Sequence, residues 1–256
     1  MRPITDGVEG IRKGALVRWY NTNTFYYTPI IKDEIRSDGK AILRTIEKRH
    51  LNDGTSFKVI LPDPLTFAEL ADDRFYGSKE KVLFAFADNV LKEEVRHLGK
   101  NGVKYIQFSS PGLVGRFREA PLSKDGLKQA GEAVRASLRG SSVRSGFHTF
   151  FGDASPYIPE LFDAIPTDDI GFDFSQTDPE SLSPSRKGII AGVADARSSY
   201  LESIKEMESK VGVIQQRSAS KSITLSPSCD LRYVPRAVAD AKLKRLSKLK
   251  EKLEDN

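Results

Sequence analysis

Short apolar runs with strand character alternate along this chain with longer helical patterns, and that alternation limits the fold more than any other feature of the sequence. The runs cover residues 15–20, 57–61, 103–108, 146–150, 170–174, 188–193 and 222–225. Most are almost continuously apolar, as parallel strands covered on both faces must be. Between them, Ser78 is placed to cap a helix whose Leu83, Phe86, Val90 and Leu91 share one face, with Gly99 and Gly102 closing it. Ser123 opens the next, with Leu127, Ala130, Val134 and Leu138 inward and Gly140 at its end. Ser199 followed by Glu202 has the spacing of a capping box ahead of Leu201, Ile204 and Val211. A last helix follows Pro235, and residues 32–56 fit neither pattern.

Such alternation predicts a parallel sheet, closed either as a doubly wound open sheet or as a (β/α)8 barrel. No Gly-x-Gly-x-x-Gly follows any strand, which removes the simplest dinucleotide-binding reading. Seven strand runs, with the final helix where an eighth βα unit would close the ring, point to the barrel. The expected fold is therefore an α/β TIM-type barrel lacking its first strand and helix. At 256 residues, with neither internal repeat nor low-complexity linker, the whole of 1–256 reads as one domain.

Apolar residues make up 39% and charged residues 29%, which suits a folded domain and excludes a disordered chain. No run of 18 apolar residues exists to span a membrane, and MRPITDGVEG lacks the apolar core of a signal peptide. Cys229 is the single cysteine, so no internal disulfide can form and a reducing cytoplasm is expected. The net charge of +5 is concentrated in residues 232–256, where eight Lys/Arg against four Asp/Glu leave +4. Ala239, Leu243, Leu246 and Leu253 in that tail fall at helical spacing, so it reads as a basic amphipathic helix docked on the body. Nucleic-acid binding is the weaker reading, because acids interleave the lysines and no aromatic is offered for stacking.

In a barrel the chemistry lies at the carboxyl ends of the strands. Here those ends offer Asn21, Asn23, Tyr26 and Tyr27; Asp63 and Thr66; Ser109 and Ser110; His148 and Asp153; Asp173; Asp195 and Arg197; and Ser228, Cys229 and Asp230. This is a mouth for a polar organic molecule, with few ionised carboxylates. His148, Asp173 and Cys229 end three different strands and are each competent zinc ligands, and three ligands with an open position describe a catalytic zinc site that could activate a thiol. The competing reading gives each a structural part: Cys229 a small buried hydrophobe, His148 a hydrogen-bonded core residue, Asp173 a loop cap. No CxxC or HxxxH spacing supports the metal. A Cys229–His148 nucleophile pair would further need an oriented base and an oxyanion hole.

The segments LVRWYNTNTFYYTPII, VILPDPLTFAEL, GVKYIQFSSPGL, FHTFFGDASPYIPEL, GIIAGVADARSSYLES and LSPSCDLRYVPRAVADAKLKRL follow one another in an order that resembles cobalamin-independent methionine synthase, across nearly the whole chain. That resemblance implies a (β/α)8 barrel and methyl transfer from a methyltetrahydrofolate polyglutamate to homocysteine, with zinc activating the thiol. The family's full-length enzyme is two barrels, of which the C-terminal one is catalytic. RWYNTNTFYY, GVADARSS and SPSCDLRYVP are more similar to the N-terminal, non-catalytic one.

Where the catalytic barrel has Ile-Asp-Glu-Pro-Ala-Leu this chain has Phe108-Ser109-Ser110-Pro111-Gly112-Leu113, so the substrate-holding Asp is replaced by Ser109. The zinc pattern His-x-Cys becomes His148-Thr149-Phe150, the zinc Glu falls near Asp173, and the last zinc Cys matches Cys229. The Gly-x-x-Pro strand and helix with which members begin have no counterpart ahead of Arg2–Gly10. The resemblance thus implies a methionine synthase-like barrel of the N-terminal-half type that works with a separate catalytic barrel. Asn21, Asn23, Tyr26, Ser109, Asp195 and Arg197 would hold substrate, and His148, Asp173 and Cys229 are candidate metal ligands. Two alternatives stand beside it: a self-sufficient zinc-dependent methyltransferase, and a non-catalytic structural or nucleic-acid-binding barrel.

Overall fold

A strand covered on both faces has no solvent for polar side chains, so the continuous apolar runs should be the central strands. The structure, a computed structural model, describes residues 8–18, 25–37, 58–114, 121–220 and 222–255; the runs at 146–150, 170–174 and 188–193 are buried throughout, whereas those at 57–61 and 222–225 keep exposed residues along their described length. It is an α/β protein with mostly parallel strands. The chain forms two compact units, Met1–Ser145 with Ala164–Pro166, and Gly146–Asp163 with Thr167–Asn256.

The first unit begins with an antiparallel hairpin of β1 (Val8–Arg18) and β2 (Phe25–Ser37). Its register slips between Glu9 and Ile11, where Gly10 adopts φ +82° and a Cβ would stand 2.3 Å from the Glu34 carbonyl oxygen. Only glycine tolerates both demands. The expected strand at 15–20 is therefore not a parallel barrel strand: its described part is the end of a hairpin arm, and Tyr26 lies on the returning arm opposite Val17. A two-residue strand, β4 (Asp72–Asp73), adds to β2 in parallel.

Two parallel strands follow, β3 (Lys58–Pro62) and β5 (Tyr105–Ser109), with Val59 beside Ile106 and Leu61 beside Phe108. Helix α1 (Pro64–Leu70) starts directly after β3 because Asp63 caps it, accepting from Leu65 N at 3.0 Å and Thr66 N at 3.2 Å, with Pro64 at the first turn. Ser78 caps α2 (Lys79–Phe86), which runs through a π turn at Ala87–Leu91 into α3 (Lys92–Lys100). The expected face Leu83, Phe86, Val90 and Leu91 is buried, and Phe86 stacks on Phe67 with centroids 3.8 Å apart. After the short α4 (Pro111–Val114), Ser123 caps α5 (Lys124–Leu138) as its position predicts.

The second unit holds four parallel strands in order: β6 (Arg144–Thr149, in this unit from Gly146), β7 (Asp169–Asp173), β8 (Gly188–Ala194) and β9 (Ile223–Pro227). Every residue of β7 and β8 is buried, the condition that their sequences announce. Helix α6 (Glu160–Ala164) is one turn long; α7 (Ile204–Ser218) packs on β8, and α8 (Arg236–Glu254) packs on α7 and β9.

Two helix expectations are corrected here. The capping box is Ser203 with Glu206, not Ser199 with Glu202: Ser203 Oγ accepts from Glu206 N at 3.2 Å and Glu206 Oε2 from Ser203 N at 2.6 Å. In α8 the inward stripe is Ala239, Lys242, Leu246 and Leu249, while Leu243 is 49% exposed. Lys242 holds a buried position because Glu202, the misassigned box residue, neutralises it.

Candidate functional site

The carboxyl ends of β7, β8 and β9 bring together the polar residues of the second unit. Asp173 ends β7 fully buried, and the chain turns immediately after it. That turn is made by Asp173 itself: Oδ1 accepts from Ser175 N at 3.0 Å and from Ser175 Oγ at 2.5 Å. Its other oxygen faces Phe151 N and a guanidinium nitrogen of Arg197, each at 3.5 Å. Burial raises the Asp173 carboxyl above the usual aspartate range, opposed by the Ser175 hydrogen bond and the charge of Arg197.

Arg197 follows β8. Its backbone N–H donates to Asp195 Oδ1 at 2.9 Å, its Nη2 donates to Ser175 Oγ at 3.2 Å, and its Nε lies 3.5 Å from Asp195 Oδ1, too far for a good hydrogen bond. The guanidinium stacks over the Phe151 ring at 5.5 Å, and the side chain keeps 26% of its surface exposed, as does that of Asp195. Arg197 is therefore held in place by several weak contacts and keeps donor capacity free for a ligand.

An aromatic wall stands beside it. Phe150 and Phe151 meet edge to face at 4.8 Å, and Phe151 meets Tyr233 at 5.5 Å. Phe151 adopts φ +73°, a left-handed conformation that a bulky residue takes only when its surroundings impose it. Cys229 lies in the same cluster with Phe150 and Ala196. Burial and the nearby Asp173 charge push its thiol well above the ordinary range, and Tyr233 is pushed up to about 12 by burial. Ser228 Oγ accepts the Ala196 N–H at 3.0 Å, tying the β8 and β9 ends together. His148, on β6, is buried, with its ring 5.7 Å from Phe150 and its edge against Gly171.

Of the expected site residues, Asp173, Asp195 and Arg197 form one contiguous cluster, and Cys229 and His148 adjoin its aromatic wall. Ser109 and Tyr26 belong to the first unit. Ser109 is buried and its carbonyl accepts Asp63 N at 3.2 Å, so it serves the turn after β3. The following turn closes tightly on that one, since Gly112 N donates to Thr66 Oγ1 at 2.9 Å and a Cβ on Gly112 would lie 2.7 Å from Thr66 Cα. Asn21 and Asn23 lie outside the described residues. The sequence reading missed Phe151, Ser175, Tyr233 and Glu202. Ser175 had a signal, since Asp-x-Ser is the spacing of an Asp side chain that caps its own turn.

An α/β protein with polar groups at the carboxyl ends of parallel strands belongs to the broad architectural class in which ligand sites, where present, lie at strand ends. Within that class, the profile described as "Cobalamin-independent synthase, N-terminal domain" matches residues 4–219, and the chain belongs to this family. It is 24% identical over 190 residues to a methionine synthase of Pyrococcus furiosus, covering 73% of this chain and 54% of that one. It is 27% identical over 242 residues to a 5-methyltetrahydropteroyltriglutamate--homocysteine methyltransferase of Halalkalibacterium halodurans, covering 90% of this chain and 30% of that one. The chain thus spans about half the length of the first of these relatives and under a third of the second. The fold is similar to that of a B12-independent methionine synthase of a Shewanella species in complex with selenomethionine, with a TM-score of 0.74 at 17% identity over 97% of this chain and 77% of that one.

The resemblance also implies zinc, and the residues present do not suit it. Among the described residues no three His, Cys, Asp or Glu side chains gather as a metal-holding group. Asp173 already answers to Arg197 and Ser175, so a dication would compete with a resident guanidinium. Cys229 is packed among apolar side chains, and the residue two beyond His148 is Phe150, which cannot ligate.

Proposed function

We propose that this chain is a methionine synthase-like protein of the N-terminal-half type that supports methyl transfer from a methyltetrahydropteroyl polyglutamate to homocysteine, with a separate chain supplying the catalytic barrel. The observation that carries the ligand part is Arg197: a side chain about a quarter exposed, with its guanidinium 3.5 Å from both Asp173 and Asp195 and over the ring of Phe151. A glutamyl carboxylate would meet its planar fork with two hydrogen bonds stronger than either resident contact. The exposed part of Asp195 would accept an N–H of the same ligand, and Phe151 and Tyr233 would offer faces to a flat ring. Asn21, Asn23, Tyr26 and Ser109 are proposed as ligand-holding residues in their own right, apart from that cluster. His148, Asp173 and Cys229 are structural neighbours of the Arg197 cluster.

The reading has three further parts. A (β/α)8 barrel comprising residues 1–256 as one domain is supported by the succession of parallel βα units and by the fold likeness. A separate catalytic partner is supported by the relatives' greater length. A cytoplasmic setting suits the single free cysteine, and no described helix is long and apolar enough to cross a membrane.

Calorimetric titration with 5-methyltetrahydropteroyl triglutamate and with its monoglutamate tests the reading. The triglutamate is expected to bind more tightly, and Arg197→Met to weaken it by about tenfold or more, the loss of a charge-assisted hydrogen bond. Equal, Arg197-independent affinities would remove the proposal. Methyl transfer to homocysteine is expected only when a catalytic-half chain is added.

A further inference from the structure

We propose that Lys242 is a positioning residue for the Asp195–Arg197 segment, acting through Glu202; for its ligand this rests on the reading above, and it adds to that reading a control point on the terminal helix. Lys242 occupies the inward stripe of α8 between Ala239 and Leu246, and its side chain is 0% exposed. Its Nζ pairs with Glu202 Oε2 at 2.8 Å and also donates to the Tyr200 carbonyl. Arg245, on the next turn, donates Nη1 to the carbonyls of Leu201 and Glu202 at 2.7 and 2.5 Å. The helix therefore holds residues 200–202 through two side chains.

Glu202 passes that grip to the site. Its second oxygen, Oε1, accepts the Asp195 backbone N–H at 2.8 Å. Asp195 Oδ1 in turn accepts Arg197 N–H at 2.9 Å and faces its Nε, and the guanidinium reaches Ser175 and Asp173. Residues 195–203 lie between β8 and α7 without helix or strand of their own. No ladder holds them, so their geometry depends on side chains such as Glu202 and Ser228.

Helix docking alone does not account for the pair. Apolar side chains of similar volume at both positions would commonly pack as stably as a buried ion pair, or more so. What they could not do is accept the Asp195 N–H. The lysine occupies Glu202 Oε2 and so leaves Oε1 for the backbone.

The test uses the full chain and two double variants, Glu202→Met with Lys242→Met, and Glu202→Gln with Lys242→Met. Both remove the buried charges, but only the glutamine keeps an acceptor for Asp195 N–H. Both are expected to melt close to the wild type. Amide hydrogen exchange should find the wild-type Asp195 N–H protected like the amides of α7, the Met/Met variant about tenfold or more faster there, and the Gln/Met variant close to wild type. Affinity for 5-methyltetrahydropteroyl triglutamate should fall about tenfold in Met/Met and be restored in Gln/Met.

A wild-type Asp195 amide that exchanges as fast as that of exposed Ser199 overturns the proposal without any variant, as does a Met/Met protein that keeps both protection and affinity. Should the wild type not bind the triglutamate while the exchange pattern follows expectation, the positioning role stands and the folate reading falls.

Discussion

Asp63 and Asp173 are both buried carboxylates raised above the ordinary aspartate range, but their charges are met differently. Asp63 is pushed up to about 6 by burial, against the lowering effect of hydrogen bonds from the first turn of α1. Because its folded value lies above the unfolded one, the folded state holds the proton more tightly. Its contribution favours folding below about pH 4 and is lost as pH rises towards 6. The loss is roughly 3 kcal/mol over that window, from two pH units at ~1.4 kcal/mol each. Asp63→Asn keeps a good cap without the ionisation, so urea melts between pH 4 and 6 should show a flatter profile than the wild type. An unchanged slope would place the titration elsewhere.

Asp173 has a cation beside it, and the same sign applies: its folded value is raised, so its penalty grows as pH rises. Arg197→Met removes a lowering influence. It should cost about 2 kcal/mol at pH 7, below the usual figure for a fully buried pair because Arg197 is partly exposed, and clearly less at pH 4. Equal losses at the two pH values would mean that Arg197 acts by packing on Phe151 rather than by charge.

Among the elements, those that were legible in advance are those with a single physical demand. Strands β7 and β8 must be apolar on both faces, so the runs 170–174 and 188–193 fall within a residue of Asp169–Asp173 and Gly188–Ala194. The caps Ser78 and Ser123 sit just ahead of apolar periodicity and act as such. Elements that answer to two demands were misread. Strands β1 and β2 carry exposed Leu16, Phe25 and Tyr27, so apolar content did not mark burial there. At the start of α7 two Ser-x-x-Glu pairs follow one another directly, and tertiary contacts decide between them, since Glu202 is drawn to Lys242 and the Asp195 N–H.

That choice has a measurable consequence. Ser203→Ala should cost about 1 kcal/mol and Ser199→Ala close to nothing, read from chemical denaturation. In α8 the same contrast holds between neighbours of like chemistry. Leu249→Ala, at a fully buried position, should cost about 2–5 kcal/mol, while Leu243→Ala should stay within about 0.5 kcal/mol. The site was legible to the same degree: Asp173, Asp195 and Arg197 could be placed at strand ends, but the φ of Phe151 and the Lys242 support depend on long-range packing that no local spacing records.

For the whole molecule, the question is whether residues 1–256 unfold together. The two compact units are not two lengths of chain joined by a linker. The chain passes from the first to the second inside strand β6, between Ser145 and Gly146, goes back at Ala164 and leaves again after Pro166. Separating them thermodynamically would require strand β6 to be half folded, and a strand's hydrogen bonds and apolar burial form cooperatively with its neighbours. Neither unit is a continuous segment that could be cut out with its core intact, unlike domains bounded by exposed linkers. Scanning calorimetry at neutral pH is therefore expected to show one transition, with the calorimetric and van't Hoff enthalpies in agreement. Asp63→Asn, in the first unit, and Leu249→Ala, in the second, should each shift that one transition as a whole. Two resolved peaks, each moved by only one of these substitutions, would instead make the units independent folding bodies and withdraw the single-domain reading.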